Sequence, residues 1–180
     1  MESMSFVIPG AVGLKVTLTE QEDGSLRFDL VNQGDMVADL RGFFFDAADA
    51  DILSGLSVQG ADVTRTAVKD DGVVNLGNGN TMSGAGAFDL GIAFGTAGIG
   101  KDDISETSFT LRSSDGALDI RDFAGVDFGV RFTSVGEADG ARDGSLKLVF
   151  ESPGVPPEGP VFPPIDWPTT DIITVDFIIG

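Results

Sequence analysis

Apolar and polar residues alternate with a period of two in five separate stretches. Leu14, Val16 and Leu18 alternate with Lys15, Thr17 and Thr19. After Glu22-Asp23-Gly24-Ser25 the pattern resumes, with Leu26, Phe28 and Leu30 set against Arg27 and Asp29. Two such runs around Asp-Gly predict a hairpin, because Gly tolerates the positive φ of a twist-matched turn. Phe88, Leu90, Ile92 and Phe94 form a third apolar face. Val126, Phe128, Val130 and Phe132 form a fourth, and Leu146, Leu148 and Phe150 a fifth. Weaker signals predict strands near 40–45, 72–76 and 107–111. Between them, 118–123 loses the alternation and predicts a short helical turn.

Asp-Gly precedes an apolar residue at Asp23-Gly24-Ser25-Leu26, Asp115-Gly116-Ala117-Leu118 and Asp143-Gly144-Ser145-Leu146. These read as strand entries and not as a repeat, since their flanks differ. Eight to ten half-apolar strands predict an all-β protein, an antiparallel β-sandwich of jelly-roll or immunoglobulin-like form. A closed barrel is the alternative.

The pattern breaks near residue 152. Seven of the eight prolines lie between Pro153 and Pro168, ahead of a segment rich in β-branched residues. The expected organisation is a sandwich over 1–151, a Pro-rich extended arm over 152–168 and a terminal β-strand over 169–180. Trp167, Ile172, Ile173, Val175, Phe177, Ile178 and Ile179 are the candidate assembly residues. An apolar strand left free in water invites aggregation. The segment is therefore expected to pair, either on the edge of its own sandwich or on another copy.

Composition narrows the chemistry. The 180 residues contain no Cys, no His and no Tyr, which excludes thiol catalysis, disulfides, imidazole or thiolate metal sites and any triad built on His. The formal net charge is −18, the wrong sign for nucleic acid or an anionic membrane surface. No run of 18 apolar residues predicts a membrane span. With 42% hydrophobic residues and 14 Phe, a core is still affordable, so the acidity does not imply disorder. Of the 29 acidic residues 22 are Asp, which favours turns, caps and oxygen-rich cation sites.

Gly95-Thr96-Ala97-Gly98-Ile99-Gly100-Lys101-Asp102 approaches a phosphate-binding loop. Asp stands where Ser or Thr should hold magnesium, and a strand pattern follows instead of a helix, so the nucleotide reading is rejected. Asp46, Asp49 and Asp51 form the best oxygen-ligand cluster for calcium, with Asp102-Asp103, Asp70-Asp71 and Asp139 with Asp143 as weaker candidates. The alternative for each is a solvated turn carboxylate. The spacing is not that of an EF-hand, and 77–86 lacks the Asp of the nonapeptide calcium repeat and reads as a flexible loop. Catalysis would rest on carboxylates alone, and no pair is singled out by its spacing.

Met1-Glu2-Ser3-Met4-Ser5 has neither a basic start nor a long apolar stretch, so no Sec signal peptide is expected. Asp176-Phe177-Ile178-Ile179 resembles the endings of type I secretion substrates. Three further stretches resemble secreted bacterial β-sandwich modules associated with calcium-binding repeat proteins. They are Gly42-Phe43-Phe44-Phe45-Asp46; Phe88-Asp89-Leu90-Gly91-Ile92 with Gly98-Ile99-Gly100-Lys101-Asp102-Asp103-Ile104; and Asp127-Phe128-Gly129-Val130-Arg131-Phe132-Thr133-Ser134-Val135-Gly136. The resemblance implies an extracellular location and calcium, and no reaction. The Pro-rich arm and the lack of adjacent repeats depart from that pattern.

The expected function is non-enzymatic: a secreted structural subunit that self-assembles as a homo-oligomer or polymer through C-terminal strand pairing. A calcium-dependent adhesion module, with a glycan or surface polymer as partner, is the alternative. A virion structural protein is a further one. Neither nucleic-acid binding nor membrane insertion is expected.

Overall fold

The computed structural model describes residues 2–96 and 102–154. Ten strands and two short 3-10 helices follow in the order β1 (Ser3–Ile8), β2 (Leu14–Glu20), β3 (Leu26–Asn32), β4 (Val37–Phe45), η1 (Ala50–Gly55), β5 (Leu56–Gln59), β6 (Val63–Val73), β7 (Phe88–Phe94), β8 (Glu106–Ser113), η2 (Ile120–Phe123), β9 (Asp127–Gly136) and β10 (Gly144–Glu151). They form two five-stranded antiparallel sheets. One has the order β1-β2-β3-β8-β5, the other β10-β9-β4-β7-β6. The protein is an all-β sandwich, as the alternation predicts.

The β2–β3 hairpin shows how the pattern sets the register. Val16 faces Leu30 and Leu18 faces Phe28 across the ladder, so both strands bury the same parity. The turn is closed by Asp23, whose carboxylate accepts from Ser25 N at 3.1 Å and from Ser25 Oγ at 2.5 Å. Gly24 supplies the φ of +78°. Hydrogen bonds from Ser25 and Arg112 hold the Asp23 carboxyl down at about 2.

Between the sheets lies a phenylalanine stack. Phe28 of β3 stacks on Phe109 of the adjacent β8 at 4.7 Å and on Phe45 of the opposite sheet at 5.3 Å. Phe45 continues to Phe128 at 5.6 Å and meets Phe123 of η2 edge-on at 5.6 Å. Offset and edge contacts of this kind add to the burial of the rings themselves.

β4 is buried over nearly its whole length, so Phe43-Phe44-Phe45 shows no alternation in burial. Phe43 and Phe45 enter the inter-sheet core, and Phe44 points to the opposite face. That outer face is covered by the segment after β6. Leu76 and Met82 pack there with Phe44, Val73 and Phe88 as a second apolar cluster. The cover is held by Met82 N donating to Val74 O at 2.8 Å and by Asn80 Nδ2 donating to Arg41 O at 2.5 Å. Within the segment 77–86, expected as a flexible loop, Asn80 and Met82 are anchored in this cover, and residues 83–86 are exposed. Gly129 makes room beneath it, because a Cβ there would lie 2.6 Å from the Phe88 ring.

β6 begins nine residues before the expected 72–76 strand. β1 and β5 are not among the strands expected from the sequence. The arm beyond residue 154 and the terminal segment, with Trp167, Ile172, Ile173, Val175, Phe177, Ile178 and Ile179, lie outside the described residues.

Phe28 touches four rings, two of them across the sheet interface. Phe28→Ala is expected to lower unfolding free energy by about 3–5 kcal/mol. Thr66→Ala, on the exposed stretch of β6, should stay within about 0.5 kcal/mol of wild type. Urea denaturation of both variants checks the contrast.

A candidate carboxylate site at one end of the sandwich

Asp46 follows the last residue of β4, where the chain leaves the sheet. Its Oδ1 accepts from Asp89 N in neighbouring β7 at 3.0 Å. Asp89 returns the contact one residue on, its Oδ2 accepting from Ala47 N at 3.0 Å. The other Asp89 oxygen accepts from Asp71 N at 2.7 Å. Three stretches of backbone are thereby tied together by two carboxylates.

Asp71 reaches this position because β6 breaks register between Val68 and Val73. The extra residues form a bulge in which Asp71 takes φ of +45°, a left-handed conformation that Asp tolerates better than most side chains. One carboxylate oxygen from each of Asp70, Asp71 and Asp89 lies within 4.8 Å of the others. Asp70 and Asp71 are exposed, and Asp89 is buried. The donor set is all oxygen, the chemistry of a hard divalent cation, and backbone amides already hold Asp89 in place.

Burial pushes the Asp46 carboxyl up to about 6, and the charges of Asp89, Asp127 and Asp71 push it the same way. The Asp89 N–H opposes them.

The remaining sequence candidates have other surroundings. Asp49 caps η1, accepting from Asp51 N at 2.9 Å, and Asp49 and Asp51 are both exposed. Asp46 is therefore the member of that trio placed beside the Asp89 group. Asp102 accepts from Thr96 N. Asp103, at φ of +46°, forms a two-pronged pair with Arg142 at 2.7 and 2.8 Å, and this hydrogen bonding holds its carboxyl below the usual range. Beneath them Asp39 is fully buried and accepts from Ile104 N at 3.1 Å, with Arg41 Nε 3.9 Å away. Burial raises the Asp39 carboxyl.

Sequence reading missed Asp70, Asp71 and Asp89 as a group. Asp89 stands inside a predicted strand, and Asp70-Asp71 read as a weaker cation candidate by themselves, with no link to Asp89. Their meeting depends on the β6–β7 pairing, which no local spacing reveals.

Comparison with protein-family models and with curated proteins finds no match to this chain.

Because the Asp46 carboxyl is raised from 3.8 to about 6, the folded state holds more protons than the unfolded state between those values. Stability contributed by this group is present below about pH 4 and lost as pH rises through about 6. Asp46→Asn keeps an oxygen for the Asp89 N–H and removes the charge. The variant should match wild type near pH 4 and exceed it at pH 7 by an amount on the order of 1 kcal/mol, reduced from the full shift by solvent screening. Denaturant titrations at the two pH values check the difference.

Proposed function

We propose that this protein is a non-enzymatic structural subunit that self-assembles through its C-terminal strand segment and acts outside the cell. One observation carries the reading. Among the described residues, two complete five-stranded sheets lie within residues 3–151, and the core between them is filled by side chains from Met4 to Phe150. The sequence after residue 154 joins a Pro-rich spacer to the apolar, β-branched run Asp171-Ile172-Ile173-Thr174-Val175-Asp176-Phe177-Ile178-Ile179. An apolar run on such a spacer has the chemistry of a strand donated to another subunit's sheet.

Composition supports the same reading. The lack of Cys, His and Tyr removes thiol, imidazole and phenol chemistry and leaves carboxylates as the main acid–base groups. Export by a type I route is consistent with the resemblance of Asp176-Phe177-Ile178-Ile179 to endings of such substrates.

A second reading, a calcium-dependent adhesion module, is favoured by the convergence of Asp70, Asp71 and Asp89. In that reading these three carboxylates hold the ion beside Asp46, and water completes the shell.

Under the leading reading the full chain sediments as multimers, whereas residues 1–154 give a folded monomer. Light scattering coupled to size exclusion separates the two, and assembly of the truncated chain would sink the reading. Under the second, millimolar calcium raises the melting temperature and a chelator lowers it. Asp70→Asn combined with Asp71→Asn should remove that response.

A further inference from the structure

Among the described residues, four strands lie at the sheet edges: β1, β5, β10 and β6. Exposed edges are hazards, and proteins protect them by shortness, charge or bulges. β5 has only four residues. β6 is interrupted by two register shifts and carries Arg65, Lys69, Asp70 and Asp71. β10 has a register shift near its start and carries Lys147 and Glu151. β1, Ser-Met-Ser-Phe-Val-Ile, has none of these devices, and its register with β2 is unbroken from Ser3↔Thr19 to Ile8↔Leu14.

The phase of that ladder is fixed by Glu20 N donating to Glu2 O at 3.1 Å. Hydrogen-bonded pairs alternate in an antiparallel ladder. Met4, Phe6 and Ile8 therefore bond to β2, and the backbone groups of Ser3, Ser5 and Val7 point away from it. Among the described residues, no strand pairs with this outer side of β1. Beside it runs a groove of about 280 Å³, lined by Ser3, Met4, Ser5, Ile120, Pro153 and Gly154.

We infer that the outer edge of β1 is the acceptor for residues 169–180 of a second copy of this chain. The inference rests on the self-assembly reading and names its receiving surface. The donor segment has matching chemistry. Ile173, Val175, Phe177 and Ile179 share one parity and would cover the groove, and Ile172, Thr174, Asp176 and Ile178 fall on the other, with the polar pair at its centre.

Reach selects the second copy. The 14 residues 155–168 include six prolines, and a polyproline spacer of that length extends about 43 Å at about 3.1 Å per residue. The six residues of β1 span only about 20 Å. The described chain ends at Gly154, already against the groove. Extended in this way, a spacer of that length exceeds the edge beside which it starts and is long enough to reach the same edge on a neighbouring copy. Donor and acceptor are different surfaces, so the contact is head-to-tail and propagates into a ring or filament.

Ser5→Pro in the full chain tests the edge directly. It removes an outward N–H that β2 does not use, so the fold is expected to remain and assembly to weaken by about tenfold or more in concentration. Val7→Lys should act in the same direction by placing charge on the edge. The chain has no Cys, so mixing Ser5→Cys chains with Thr174→Cys chains gives a clean cross-link, expected as a disulfide between copies. If Ser5→Pro fails to fold, this cross-link decides. Undiminished assembly of folded Ser5→Pro and Val7→Lys, with no cross-link, overturns the acceptor site alone provided that residues 1–154 stay monomeric. Assembly of residues 1–154 instead overturns the self-assembly reading. A Ser5→Cys/Thr174→Cys chain that closes on itself at high dilution overturns the choice of a second copy.

Discussion

The sandwich depends on a single seam of aromatic rings. Phe28 and Phe109 on one sheet meet Phe43 and Phe45 on the other, Phe128 packs beside those two within their sheet, and Phe123 closes one end. Phenylalanine has no polar atom, so the seam needs no buried hydrogen-bond partner, unlike tyrosine or tryptophan. Its rings also set the positions of the strands that carry polar chemistry at the rim. Phe45 is the last residue of β4, and Asp46 follows it directly. The place where the carboxylates gather is thus fixed by where the core stops.

The sheet containing β4 is unusual in being buried on both faces over much of its centre. The cover over Phe44 and Phe88 makes β7 buried at every position. This in turn places Asp89 in a buried setting, where its two oxygens are satisfied by Ala47 and Asp71 amides. Asp46 has only partial relief from burial, and its raised carboxyl is the electrostatic cost of the crossing.

The strands with two-residue periodicity were legible because each buries one face. β2, β3, β9 and β10 appear where the alternation places them, and η2 falls within the turn expected at 118–123. β1 was overlooked although Met4, Phe6 and Ile8 alternate with Ser3 and Ser5: the run is short, Val7 interrupts its polar face, and Pro9 follows it. β6 was hidden for a different reason. Its residues 64–71 are mostly exposed and polar, so the pairing partner β7 dictates the strand and the hydrophobic pattern does not. The same long-range pairing assembles Asp70, Asp71 and Asp89. Asp46 was legible as a member of an acidic loop, but its neighbours in space come from β6 and β7, not from Asp49 and Asp51.

The junction at Ser152 has a mechanical meaning. Ser152 N donates to Val126 O, Val126 N donates to Ser152 Oγ, Ser152 Oγ donates to Phe123 O, and Gly125 N donates to Pro153 O. Any tension transmitted through the arm enters the domain here, ahead of the first rung between β10 and β9. Pulled away from the sheet, an edge strand opens rung by rung, because its ladder bonds lie across its axis. The four clamp bonds must yield before that unzipping starts. The clamp includes the carbonyl of Phe123, whose ring is in the aromatic seam, so the load passes into the core before it reaches the edge strand.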